Sequence, residues 1–304
     1  MISKILTFGD SYMYGTELPQ EDPDLKEHIN KIVEGLPRDP ISGAIPIDIL
    51  KSVHFDKLWD LEMKTNDYET RCHNYCISGI VARHFNIPEY KNFSWAGYSN
   101  DAILVELLSH MHEITNDTLV IVGLTFPFRT TRLNESTNYN KIKSFNNHHN
   151  LNKNRDHERY IELSMEYDDD ILVKYIHTMN HISTIKSILA NVPHVIIDPI
   201  NIYRESKELN GKLLDDWFLE DTIKSSILRI GDDILYPGVV DHLQDFFNNN
   251  TFGYTFNHSL LYAKDNNVYG RALLGHPSRY AHEHFAAEFL IPYIKRDILK
   301  LCGT

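Results

Sequence analysis

Three short apolar runs constrain this chain more than anything else in it. Ile2 to Phe8 reads I-S-K-I-L-T-F and stops at Gly9, Thr118 to Thr125 reads T-L-V-I-V-G-L-T, and His194 to Asp198 reads H-V-I-I-D and stops at Pro199. Each has strand length and little polar alternation, as expected of parallel strands buried on both faces. The stretches between them carry the helical period instead. Ile77, Ile80, Val81, His84 and Phe85 share a face that ends before Pro88, and a short strand is predicted over Tyr90 to Trp95. Asn100 or Asp101 is expected to cap a helix that turns Ile103, Leu104, Leu107, Leu108 and Met111 inward. Ile171 to Leu189 presents Leu172, Tyr175, Ile176, Met179, Ile182, Ile185 and Leu189 on one side. Ser278 to Leu301 reads as a terminal helix with Phe285, Ala286, Phe289, Leu290 and Tyr293 inward and a kink at Pro292. Strands alternating with helices predict an α/β fold, a three-layer α/β/α sandwich around a mainly parallel central sheet.

The remaining segments do not fit this alternation. Residues 17–49 hold Pro19, Pro23, Pro37, Pro40 and Pro46 among many charges, which predicts a long loop with a helical turn around Leu25 to Val33. Residues 134–155 are rich in asparagine and lack periodicity, so a loop or flap is expected there. Residues 201–270 mix helical patches such as Ile223 to Ile230 with turn signals such as Tyr236-Pro237-Gly238. We read all three as insertions into a single domain spanning residues 1–304.

Composition narrows the function. Thirty Lys and Arg stand against 42 Asp and Glu, and the resulting charge of −12 has the wrong sign for gripping a phosphate backbone, so no nucleic-acid partner is expected. No apolar run approaches the roughly 18 residues of a spanning helix, so no membrane partner is expected either. Met1 to Phe8 is too brief for the apolar region of a signal peptide, and a cytoplasmic location is the expectation. Cys72, Cys76 and Cys302 are an odd, sparse set and read as reduced thiols. Cys72 and Cys76 flank His73 but lack a second ligand pair, and His282-Glu283-His284 does not set two imidazoles four residues apart on one helical face. No metal and no cofactor are expected.

Ligands of an open parallel sheet bind outside the carboxyl ends of its strands, so the residues there are the ones that bear on chemistry. Neither G-x-G-x-x-G nor G-x4-G-K-[ST] occurs, which argues against a dinucleotide or P-loop site. The first run ends in Gly9-Asp10-Ser11, a glycine turn that sets a serine hydroxyl and its own N–H at the crevice. After the later strands come Ala96-Gly97-Tyr98-Ser99-Asn100 and Gly123-Leu124-Thr125, and Gly275-His276-Pro277-Ser278 precedes the terminal helix.

In these blocks and their order the chain resembles the SGNH hydrolases, or GDSL-type esterases, particularly their bacterial and phage members with the G-x-S-N form. The resemblance implies a flavodoxin-like layout and an ester-cleaving serine enzyme without a cofactor. Ser11 would be the nucleophile and His276 its base, with an oxyanion hole from Ser11, Gly97 and Thr125. Thr125 stands where the family has asparagine, and Leu273 where it has the aspartate that orients the histidine. Asp265, Glu283 or a backbone carbonyl remain open as the replacement. Asp10 is expected to bond the turn backbone, and Asn100 and Arg129 to contact substrate. The expected substrate is a small-molecule or glycan ester, such as an O-acetyl group on a carbohydrate. The alternative is the same fold kept as a catalytically weak or inactive binding or structural protein, for instance a phage particle component.

Overall fold

The computed structural model describes residues 2–38, 65, 67–126, 171–199, 245–266, 268, 270–272 and 276–299, with short pieces at 44–45, 49, 57, 61, 129–132, 143–146, 229–230 and 233–234. The three apolar runs are strands, β1 (Lys4–Phe8), β3 (Thr118–Gly123) and β6 (His194–Ile197), and β2 (Glu89–Asn92) joins them. They form one parallel sheet in the order β2-β1-β3-β6. Every residue of β3 is buried, and Ile5, Leu6, Ile196 and Ile197 are buried with it. Full burial of one such side chain is worth about 1.5–3 kcal/mol, so this strip dominates the core. The predicted α/β class with a parallel central sheet is the class observed.

Helices supply the covering layers. Ile77, Val81 and Ala82 of α4 (Ile77–His84), Ile103 and Leu107 of α5 (Asn100–Ser109), and Tyr175, Ile182 and Ile185 of α6 (Ile171–Ile188) are buried in the same core as the sheet. α8 (Arg279–Phe285) adds Ala281 and Phe285. Some of the expected stripes are narrower than predicted. Leu108 and Ile176 are exposed, at 47% and 42%, and the Leu172 side chain lies outside the described residues. The cap of α5 is Ser99, whose hydroxyl accepts the Ala102 N–H at 3.2 Å, and not Asn100 or Asp101. α8 continues through Ala286–Leu290 and Ile294–Ile298, both wound with π spacing, around an α-helical turn at Ile291–Tyr293. Pro292 sits in that turn, where its missing N–H and its ring are taken up by wider winding on either side.

The insertions hold more structure than expected. A full helix, α2 (Pro23–Ile32), replaces the single turn predicted there, and Leu25, Ile29, Val33 and Ile45 make a small second core with Leu61 and Tyr68 packed on it. β5 (Lys143–Asn146) pairs antiparallel with β4 (Arg129–Arg132), so the segment 134–155 contains a strand where none was expected. In 201–270, β7 (Arg229–Ile230) pairs with β8 (Asp233–Ile234), and α7 (Phe256–Asp265) packs against α8 through rings such as Phe256 on Phe285. Residues 236–238 lie outside the described residues. Cys72, on α3 (Tyr68–Tyr75), and Cys76 are buried and form no disulfide among the described residues, and Cys302 is outside them. No helix among the described residues is long and apolar enough to cross a membrane.

Candidate functional site at the carboxyl edge of the sheet

The parallel register brings the strand ends level. Thr7 pairs with Asn92, Phe8 with Val122 and Gly123 with Ile197, so the chain leaves β1, β2 and β3 toward the same edge. β1 has β2 on one side and β3 on the other, which makes the β1–β3 seam the point where strand order changes direction. Backbone bonds continue past the strands, from Trp95 N–H to the Gly9 carbonyl at 3.1 Å and from Leu124 N–H to the Ile197 carbonyl at 2.8 Å.

Asp10 turns the chain from β1 into the short helix α1 (Ser11–Tyr14). Its carboxylate accepts the Tyr12 N–H at 3.0 Å, and its carbonyl accepts those of Met13 and Tyr14 at 3.1 and 2.9 Å. The Tyr14 bond is the first i→i−4 bond of the helix, and the other two satisfy N–H groups that a helix start leaves without partners. The Ser11 N–H makes no hydrogen bond among the described residues. α1 lies close against the sheet because Met13 fits where side chains are missing. A Cβ on Gly9 would stand 2.4 Å from Met13 Cγ, and one on Gly123 2.1 Å from it. Ser11 is thereby held at the strand end, 4% exposed.

The second block is a tight turn, Trp95 to Tyr98, closed by a 3.1 Å bond from Tyr98 N–H to the Trp95 carbonyl. Gly97 occupies its third position at φ +90°, a conformation L side chains rarely adopt, and nothing lies within 4 Å of where its Cβ would be. Its N–H makes no hydrogen bond among the described residues. Trp95 is 53% exposed, and the Tyr14 ring meets it edge-on at 5.6 Å.

Thr125 and Asn100 depart from their expected roles. The Thr125 hydroxyl donates to Asp10 Oδ2 at 2.7 Å, and its N–H donates to Asn100 Oδ1 at 2.9 Å, so both of its protons are spent inside the protein instead of facing an oxyanion. The Asn100 carboxamide nitrogen donates to the Thr125 carbonyl at 3.2 Å and the Thr178 hydroxyl at 3.4 Å. Asn100 is 6% exposed and ties α5 to the end of β3 instead of reaching out to substrate. Arg129 lies on β4, and its side chain is outside the described residues.

His276 is carried on a loop closed by 2.7 and 2.8 Å bonds, from Ala272 N–H to its own carbonyl and from Ser278 N–H to the Gly270 carbonyl. Its ring meets the Tyr12 ring edge-on at 5.5 Å, which brings the histidine block against the helix that carries Ser11. The carboxylate facing its Nδ1 is that of Glu17, with Oε2 at 3.5 Å. Glu17 is fully buried, with a left-handed backbone at φ 73°, and neither oxygen has a hydrogen-bond partner among the described residues. The acids expected from sequence are elsewhere: Asp265 is exposed at the end of α7 and Glu283 is exposed on α8. Leu273 lies outside the described residues.

Solved structures similar to this chain include two from Streptomyces. Phospholipase A1 from Streptomyces albidoflavus NA297 matches at a TM-score of 0.39 and 10% identity, over 97% of this chain and 99% of that one. The extracellular lipase from Streptomyces rimosus matches at a TM-score of 0.36 and 10% identity, over 96% and 98%. No protein-family profile matches the chain, and no curated protein matches it.

The other histidines of the last block serve structure. His282 is buried against Phe256, and its Nδ1 accepts the Ile77 N–H at 3.2 Å, satisfying the start of α4. Burial, reinforced by nearby His276, pushes its pKa down to about 3, so it stands neutral. His284 Nδ1 lies 3.0 Å from the Ser259 hydroxyl. Among the described residues no group of three or more His, Cys, Asp or Glu is arranged to hold a metal ion.

Proposed function

We propose that the chain is a serine ester hydrolase of the SGNH type. The observation that carries this reading is the meeting of the Ser11 helix with the His276 loop, Tyr12 against the imidazole, at the carboxyl edge of the sheet. In the proposed reaction Ser11 Oγ attacks the ester carbonyl while His276 takes its proton, and the same proton then leaves with the alcohol. Water repeats the sequence on the acyl-serine. The oxyanion is received by the N–H groups of Ser11 and Gly97, which have no other partner among the described residues. One donor of this kind is worth about 10²–10³ in rate. With Thr125 committed to Asp10, the hole rests on backbone donors.

For the substrate we propose an acyl ester on a carbohydrate. Trp95, half exposed two residues before Gly97, offers a flat apolar face of the kind that takes the C–H face of a sugar ring. A fluorophosphonate probe and a panel of short aryl esters and O-acetylated sugars, applied to wild type and Ser11→Ala, test the reading. Labelling and hydrolysis in wild type, both lost in the variant, are expected. A wild type that neither labels nor hydrolyses supports the second reading, a non-catalytic carbohydrate-binding protein, which the absence of a free Thr125 donor favours.

A further inference from the structure

We propose that Glu17 is the positioning carboxylate of the Ser11–His276 pair, supplied from the turn behind the nucleophile's helix. The proposal rests on the esterase reading above and completes its proton relay. Burying a carboxylate without hydrogen-bond donors is costly, and a non-glycine residue in the left-handed region adds backbone strain. Glu17 carries both costs at once, at 0% exposure and φ 73°. The polar group that faces it is His276 Nδ1, itself buried and without a hydrogen-bond partner among the described residues. At 3.5 Å the two atoms are within ion-pair reach and slightly beyond a normal hydrogen bond, a spacing common in catalytic pairs before substrate binds.

The pairing is built from both sides. Arg279, three residues past His276, donates from Nη2 to the Leu18 carbonyl at 3.1 Å and to Asp22 Oδ1 at 2.5 Å. Its own N–H is accepted by Glu21 Oε1 at 2.8 Å, and its guanidinium lies 3.6 Å over the Tyr75 ring. Arg71 holds the other Asp22 oxygen at 3.2 Å. The turn that presents Glu17 is thereby fastened to the start of α8, directly after the α7–α8 connection that presents His276. With Nδ1–H directed at Glu17, Nε2 is the nitrogen left to take the Ser11 proton. The Glu17 carboxylate offsets the charge of the imidazolium.

Nitrogen-15 NMR of the His276 ring, run beside steady-state kinetics on p-nitrophenyl acetate, tests this in wild type, Glu17→Gln and Glu17→Asp. Thermal melts show that each variant is folded. The expected spectrum is an Nδ1-protonated ring with a downfield Nδ1 proton in wild type, a signal lost in Glu17→Gln. The expected kinetics are a fall in kcat on the order of 10²–10⁴ in Glu17→Gln with KM unchanged, and partial recovery in Glu17→Asp. A folded Glu17→Gln with wild-type kcat, or an unchanged His276 spectrum, overturns the proposal. Absence of hydrolysis and of Ser11 labelling in wild type overturns the esterase reading instead, and the His276 spectrum still decides whether Glu17 orients the ring.

Discussion

The Thr125 hydroxyl donates to the Asp10 carboxylate at 2.7 Å, a bond between two buried residues that spans the β1–β3 seam beside Ser11. Thr125→Val removes the donor at nearly constant volume and with it one hydrogen bond to a buried carboxylate, which costs about 1–3 kcal/mol. Urea denaturation should show that loss. Thr125→Ser keeps the hydroxyl and should recover most of it. Equal stability of the valine variant and wild type would mean that the bond contributes nothing.

Asn100 fastens helix to strand through both atoms of its carboxamide, so its removal should read as a folding defect. Asn100→Ala leaves the buried Thr125 N–H without its acceptor. The expected loss of stability is again about 1–3 kcal/mol, with KM for the ester unchanged. A raised KM at wild-type stability would return Asn100 to the substrate-contacting role that its sequence block implies.

Gly97→Ala separates backbone strain from crowding, because open space surrounds the position. Holding alanine at φ +90° costs roughly 1 kcal/mol, to be read in the melting temperature. Hydrolysis should fall further than that loss explains, by up to about 10² in kcat, because the turn relaxes by moving the Gly97 N–H. A variant with the stability loss but full kcat would remove Gly97 from the oxyanion hole.

His282 makes stability depend on pH in a defined direction. Its pKa in the folded chain is about 3, against an ordinary value of 6.5, with burial the main cause. Between those values the unfolded chain binds the extra proton and the folded chain does not, so stability is fullest above about 6.5 and falls as pH drops toward 3. His282→Asn offers an oxygen near the place of Nδ1 and cannot protonate. Unfolding midpoints from pH 7 down to 4 should fall less steeply in this variant than in wild type. Parallel slopes would assign the acid sensitivity to other groups.

Much of this architecture can be read from residue pattern alone, and the limits are physical. β1, β3 and β6 lie in the buried part of the sheet, and burial on both faces demands the apolar runs by which they are recognised. β2 reads E-Y-K-N with no fully buried residue, so it lacks the apolar run that marks the others and its predicted position is displaced toward Trp95. Ser11, Gly97 and His276 stand out in the sequence because glycine turns and strand ends restrict what can stand there. Glu17 is not, since it precedes L-P-Q-E-D and looks like one more acid on a solvated loop. Its burial is imposed by the His276 loop and Arg279, which no local pattern encodes. The one hint in the sequence is indirect: Leu273 stands where the resemblance calls for an orienting acid, and the nearby candidates Asp265 and Glu283 are both exposed.

The Arg279 clasp joins residues 257 and 261 positions apart along the chain. At translation rates of about 5–20 residues per second, the Ser11 helix waits on the order of tens of seconds before the His276 loop exists. During that interval β1 has emerged without β3, leaving an apolar edge open to wrong partners until the rest of the sheet arrives. The meeting of the Ser11 helix with the His276 loop is therefore among the last contacts of the molecule to assemble, and a chain halted before residue 276 cannot make it.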